Sequence, residues 1–379
     1  MSNKMVKERE HPFEYLRRKE DDSAFPKEIV NNWYIARAFV LEKLKDVYFV
    51  PGANEHLHVI IEGDSPVMFA VARQVALSAH YINFVEYDAL DRLVCKNRSV
   101  ITLVSQKETS QLIAELNKEE NFCNLLQFCK YTADGKTVNA DSYIDLELNI
   151  VKSIEEVDGI RISEKEVSDF VNSKKEDDIY SIDTRKAVCA KKTYDFGALI
   201  DNLPYEDING AERYNRALAA FSSRVLKKSF KPLIEDSWKS NLAQVKEGLS
   251  NLICADCFES REKSIEAQCS TEDRKLSEKE RRALWEKNNH ALSLSEHSRW
   301  IVEKLIFGYS PMSQAQRHEY QSLFKKQRKA YREQLKNNSA APVHLDLCSY
   351  RDLRRIDPNN MKYDSFLMLA IPLILEKVR

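Results

Sequence analysis

Leu57-His58-Val59-Ile60-Ile61-Glu62-Gly63-Asp64-Ser65-Pro66-Val67-Met68 reads as a strand, a glycine turn and the start of a helix. The apolar run from Leu57 to Ile61 is short and rich in β-branched residues, as a buried parallel strand requires. Gly63 ends it. Ser65 suits a helix N-cap, and Pro66 suits the first helical position, where a missing N–H costs no hydrogen bond. From Val67 through Leu77 the segment is apolar almost all round, which predicts a helix packed between a sheet and another layer.

Working outward, Trp33, Ala36, Phe39, Val40 and Leu44 recur at helical spacing within 28–45, and Pro51-Gly52-Ala53-Asn54 breaks that helix. Tyr81 to Val85 reads as a second strand, ending at Glu86 and Asp88. Ser99 to Val104 reads as a third strand and Thr109 to Leu116 as the next helix. Strands alternating with helices imply a parallel sheet with right-handed crossovers, the first units of a Rossmann-like α/β domain. The expected division is an N-terminal helical segment over 1–50, the Rossmann-like domain over 51–200, a helical connecting region over 201–289 and a small helical domain over 290–379.

Farther along, Leu125 to Tyr131 reads as a strand. Ile144, Leu146, Leu148 and Ile150 alternate with polar residues, as a half-buried strand does. Residues 155–185 are charged and poorly periodic. A helix carrying Ala217, Ala220, Phe221 and Val225 follows, and Thr271 to Lys287 reads as a solvated helix. Residues 293–307 form a helix with Gly308 as its stop. Residues 313–336 read as one amphipathic helix, with Tyr320, Phe324, Tyr331 and Leu335 on one side. Lys325, Lys329, Arg332 and Lys336 line another face, within a stretch holding seven Lys/Arg against two Asp/Glu; such a stripe suits phosphates, a nucleic acid or an acidic partner, and is otherwise a solvated face.

Composition narrows the function classes. The chain has 379 residues, 43% hydrophobic and 31% charged, so it can bury sizeable cores and reads as globular. A net charge of -1 argues against a protein that binds nucleic acid over its whole surface. No stretch approaches the roughly 18 apolar residues of a membrane span. The charged N-terminus lacks a signal-peptide core, so a cytoplasmic location is expected. Eight scattered cysteines suit reduced thiols. Cys254-Ala-Asp-Cys257, followed by Cys269 and His290, lacks the compact second pair of a zinc site, so no metal is expected. No catalytic motif is present.

The glycine turn holds Gly63, Ser65 and Met68 where a dinucleotide fingerprint has three glycines, and Glu86 follows at the distance of a ribose-binding acid. This segment resembles a degenerate TrkA-N type of Rossmann domain. That resemblance implies cofactor binding at Gly63, Asp64, Ser65 and Glu86, with NAD(H) or an adenine nucleotide as the ligand. The alternative is a scaffold without a ligand.

Near the C-terminus, Glu296-His297-Ser298-Arg299-Trp300 continues through Glu303-Lys304-Leu305 to Gly308-Tyr309. It resumes at His344-Leu345-Asp346-Leu347 with Tyr350 and closes at Lys362-Tyr363-Asp364. This pattern resembles the RyR domain, the helical repeat named after ryanodine receptor channels and also found in bacterial proteins. The resemblance implies a ligand site built from His297, Arg299, Trp300, Lys304, Tyr309, His344 and Tyr350. Aromatic rings with a cation and a histidine suit a purine and phosphates. The other reading gives Trp300 and Tyr363 to the core and lets His297 satisfy a backbone carbonyl. The long 313–336 segment departs from the family pattern.

Taken together, these resemblances imply a regulatory or sensor protein binding a small nucleotide-like ligand, in ion-transport control or nucleotide-signalled phage defence. A protein partner or homo-oligomer is compatible with that role. The alternatives are an NAD(P)-dependent oxidoreductase or nucleotide-processing effector enzyme, and an interaction scaffold without a small ligand.

Overall fold

The computed structural model describes residues 27–155, 157–174, 186–189, 192–195, 257–269, 276–338 and 342–356, with 360, 361, 364, 365 and 368 besides. The segment before Lys27, the expected helix at Ala217 to Val225, Cys254, Lys362 and Tyr363 lie outside these residues.

A six-stranded, mainly parallel mixed sheet organises the first half of the chain. Its strands are β1 (His58–Glu62), β4 (Ser99–Val104), β5 (Lys130–Ala133), β6 (Lys136–Val138), β7 (Leu146–Val151) and β8 (Ile160–Ser163), in the order β6-β5-β7-β4-β1-β8. All neighbours run parallel except β5 and β6, which form an antiparallel edge hairpin. The expected parallel sheet is therefore a mixed one with a single antiparallel pair.

Register puts Val59, Ile61, Ile101, Leu103, Leu148, Ile150 and Ile162 on one face, all buried in the main core. Against it pack α1 (Lys27–Leu44), α2 (Pro66–Ser78), α3 (Thr109–Glu120), α4 (Cys123–Phe128) and α5 (Glu164–Ser173). Every residue of α2 from Met68 to Ser78 is buried, because α1 covers its back while β1 and β4 lie beneath. The opposite sheet face is mixed, with Ile60, Val100, Val104 and Val151 among polar side chains. There His58 Nε2 lies 2.8 Å from Thr102 Oγ1, and Lys130–Glu147 and Arg161–Glu62 pair at 2.6 and 2.7 Å.

Three further expectations for the sheet half of the chain need correction. Tyr81–Val85 is not a sheet strand: Tyr81, Ile82 and Phe84 fill the core from a loop. The actual β2 (Val85–Tyr87) pairs antiparallel with β3 (Leu93–Lys96), apart from the main sheet. Leu125–Tyr131 is helix α4 followed by β5, with Phe122, Leu125, Leu126 and Cys129 buried at helical spacing. The charged 155–185 stretch contains β8 and α5, started by a capping box between Ser163 and Glu166.

Two further strands, β9 (Lys186–Cys189) and β10 (Lys192–Asp195), form a separate antiparallel pair, and from Cys257 onward the described residues are helical apart from two short parallel strands. They comprise α6 (Cys257–Glu266), α7 (Glu278–Lys287), α8 (Asn289–Ile306), β11 (Ser310–Pro311), α9 (Gln314–Ser322), α10 (Lys325–Lys336), β12 (Val343–His344) and α11 (Tyr350–Ile356). The expected single helix over 313–336 is two helices broken at Leu323-Phe324. Phe324 is 80% exposed rather than packed on the apolar side. Helix α8 packs on α2 and α4, so Leu292, Ile301, Val302, Leu305 and Ile306 share one core with the sheet. Its C-terminus is fixed from outside, with Gly308 at φ +80. Asn121 Nδ2 donates to the Ile306 carbonyl at 2.5 Å and Asn124 Nδ2 to the Tyr309 carbonyl at 2.8 Å.

Candidate functional site

At the first candidate, the turn after β1, Gly63 takes φ +135, a region that L side chains rarely adopt. A Cβ there would fall 2.7 Å from Glu164 Cγ. Glu164 opens α5 and folds its carboxylate over the turn, where the Ser65 N–H donates to Oε1 at 3.2 Å. Backbone donors at a helix start favour an anion. Here the anion is the chain's own carboxylate. Ser65 has the extended backbone of an N-cap without a side-chain cap bond, and its buried Oγ lacks a partner among the described residues. Asp64 accepts from Ser105 Oγ at 2.7 Å and pairs with Lys107 at 3.3 Å, while Lys107 also binds Glu115 at 2.5 Å.

Glu86 does not join that turn. It lies on β2, buried, and accepts the Tyr350 and Arg351 N–H groups at 2.9 and 3.4 Å, capping the first turn of α11. Burial pushes its carboxyl up to about 7, against the pull of the Tyr350 N–H and His297.

The second candidate divides into an inner and an outer part. Inside, Arg299 makes a bidentate contact to Glu296 at 2.9 and 2.8 Å and donates to Glu303 at 2.6 Å. Arg261 lies 3.5 Å from Glu296, and Lys304 lies 3.2 Å from Glu303. The helical spacing of Glu296, Arg299 and Glu303 stacks these charges along one side of α8. His297 is also inside: Nε2 donates to the Cys348 carbonyl at 3.0 Å and Nδ1 lies 3.2 Å from Asp364. Burial works against its charge, but Asp364, the Cys348 carbonyl and Glu86 outweigh it and raise its pKa. Tyr350 packs against His297, ring centroids 5.4 Å apart.

The outer part gathers four of the expected residues. Trp300 stacks on His297 at 5.8 Å and meets His344 edge-on at 4.9 Å. Tyr309 meets the same His344 ring at 6.1 Å, and the Lys304 ammonium lies 6.0 Å from the Tyr309 ring centre. Trp300, Lys304 and Tyr309 are half-buried, and His344 is 8% exposed. The result is an aromatic face with a cation at its edge. Its chemistry suits a flat, electron-rich ring carrying negative charge.

Two further neighbours of this face come from the basic stripe on 313–336, which the sequence marks without placing it here. Helix α10 packs on β12, which bears His344, and brings Arg332 and Lys336 toward it. Burial, with Lys336, Lys304 and Arg332 adding to it, pushes the His344 pKa well below its ordinary value. The basic spacing on α10 marks these residues in the sequence, but their closeness to His344 depends on how the chain returns. Among the described residues no group of three or more His, Cys, Asp or Glu is placed to hold a metal ion, and no helix is long and apolar enough to cross a membrane.

Compared with protein-family models, curated proteins and solved structures, the chain matches none.

Proposed function

We propose that this protein is a regulatory sensor that binds a nucleotide or nucleotide-derived ligand on the face made by Trp300, Tyr309, His344 and Lys304. One observation carries the reading: two rings, Trp300 and Tyr309, converge on His344 at 4.9 and 6.1 Å, beside the partly exposed Lys304. The resemblance of this segment to RyR domains supports it. Binding at the Gly63 turn would require Glu164 to leave first, so the tail face is the better seat. Beneath Trp300, His297 leads to Cys348, Asp364 and the neighbourhood of Glu86. A ligand favouring one arrangement of these contacts would shift how the tail sits on the sheet domain.

The test is thermal unfolding of the full chain with NAD(H), NADP(H), ATP, AMP, ADP-ribose and cyclic oligonucleotides. A true ligand stabilises by RT ln(1+[L]/Kd), about 2.7 kcal/mol at a hundredfold excess over Kd. Trp300→Ala should remove the response and Glu164→Ala should not. A flat response across the panel, or one that survives Trp300→Ala, overturns the proposal.

A further inference from the structure

We infer that helix α10 supplies a phosphate seat beside the aromatic face, in which Lys336, Lys304, Arg332 and the His344 imidazole hold a phosphomonoester dianion. This inference rests on the tail face being the ligand site and names the group that its charged edge recognises.

Lys336 stands in the last turn of α10 and is half-buried. It has no hydrogen bond or ion pair among the described residues. Its nearby charges include the cations Arg332 and Lys304, with Asp346 and Glu333 the acids within range. Burial and the Arg332 charge push its ammonium pKa down, so the folded chain holds this cation at a cost. Of these two acids Asp346 is already engaged, and Glu333 is exposed to solvent. Arg332 pairs with Asp346 at 3.5 Å, and Asp346 also accepts from Asn360 at 2.5 Å. The Glu303 carboxylate beside Lys304 already serves Arg299 at 2.6 Å.

His344 is the second observation. Its Nδ1 accepts the Asp346 N–H at 3.2 Å, so the neutral ring carries its proton on Nε2. That Nε2–H has no hydrogen-bond acceptor among the described residues, although more than nine-tenths of the residue is buried. A donor on a buried ring and a half-buried cation, neither with an acceptor among the described residues, suit an anion. Two ammonium groups, a guanidinium and an imidazole N–H supply donors to a tetrahedral, doubly charged acceptor. A carboxylate is planar, carries one charge and uses fewer of them. The ring of the same ligand would lie on Trp300 and Tyr309.

The experiment titrates the full chain with inorganic phosphate against chloride at matched ionic strength, then with acetate, AMP and adenosine. Phosphate should stabilise the wild type beyond chloride and acetate, and Lys336→Met should abolish that difference while Lys336→Arg keeps it. AMP should bind about tenfold or more tighter than adenosine, and Lys336→Met should bring the two together. Equal effects of phosphate and chloride on the wild type, or a phosphate effect unchanged in Lys336→Met, overturn the seat. So does acetate matching phosphate. If Lys336→Met does not fold, Lys336→Gln takes its place under the same criteria. Loss of AMP binding in Trp300→Ala, with wild-type AMP affinity in Lys336→Met, would leave the sensor reading standing and remove the seat. A Lys336-dependent phosphate effect without binding of any nucleotide or nucleoside would do the reverse.

Discussion

The Glu86 carboxylate on β2 accepts the Tyr350 backbone N–H at 2.9 Å, across 264 residues of chain. A side chain of the first half thereby caps a helix of the second, and burial raises its pKa to about 7. Between the ordinary glutamate value near 4.5 and about 7, the folded chain holds more protons at this site than the unfolded chain. The contribution of Glu86 to stability therefore falls as pH rises through that window. Glu86→Gln should gain stability relative to wild type on going from pH 5 to pH 8, measured as the difference in Tm. Parallel pH profiles for the two chains would contradict this. The comparison must be a difference, because His344, with its lowered pKa, contributes the opposite slope below its ordinary value.

Arg299 holds two buried carboxylates on its own helix, Glu296 and Glu303. Arg299→Met strips the shared cation from both, and breaking a buried network of this kind costs about 3–5 kcal/mol. Urea unfolding should show it. A loss below about 1 kcal/mol would mean that Arg261 and Lys304 already neutralise these acids.

Gly63→Ala places a side chain at φ +135 and pushes the Glu164 carboxylate aside. The backbone strain should cost about 1–3 kcal/mol. Glu164 is exposed, so Glu164→Ala alone should change stability by no more than about 0.5 kcal/mol. The double variant should stay close to Gly63→Ala, because removing Glu164 does not relieve the backbone.

Asn121 and Asn124 fix the end of α8 through the Ile306 and Tyr309 carbonyls. Each Asn→Ala change should cost about 1 kcal/mol in thermal unfolding. Asn124→Ala should also weaken ligand binding at the tail face, since it frees the backbone that carries Tyr309. Unchanged affinity would show that Tyr309 is positioned by other means.

Much of the sheet is legible in the sequence, for local reasons. The β-branched run before Gly63 and the Ser65-Pro66 start define β1 and α2, and the alternation of Leu146, Leu148 and Ile150 defines β7. The reading fails where apolar runs are short. Tyr81 to Phe84 is as apolar as a strand but enters the core from a loop. Around Leu125, the buried positions 122, 125, 126 and 129 have helical spacing, a signal outweighed by the apolar character of the run. Ser163 and Glu166 spell a capping box within a stretch that otherwise looks irregular. No glycine or proline announces the break at Leu323-Phe324.

The candidate site was legible in part for the same reasons. Helical spacing places His297, Trp300 and Lys304 near one another, and Gly308 stops the helix before Tyr309. Only the return of the chain through β12 shows that His344 joins them. Glu86 illustrates the opposite case, since its distance along the chain from Gly63 matched a cofactor fingerprint while its carboxylate belongs to α11.

The most direct test of the account is calorimetric titration of nucleotides into the wild-type chain and Trp300→Ala side by side. The account predicts saturable binding of at least one phosphorylated nucleotide to the wild type and its loss in the variant, with both chains equally folded beforehand. No binding by the wild type, or equal affinity in both chains, would contradict it.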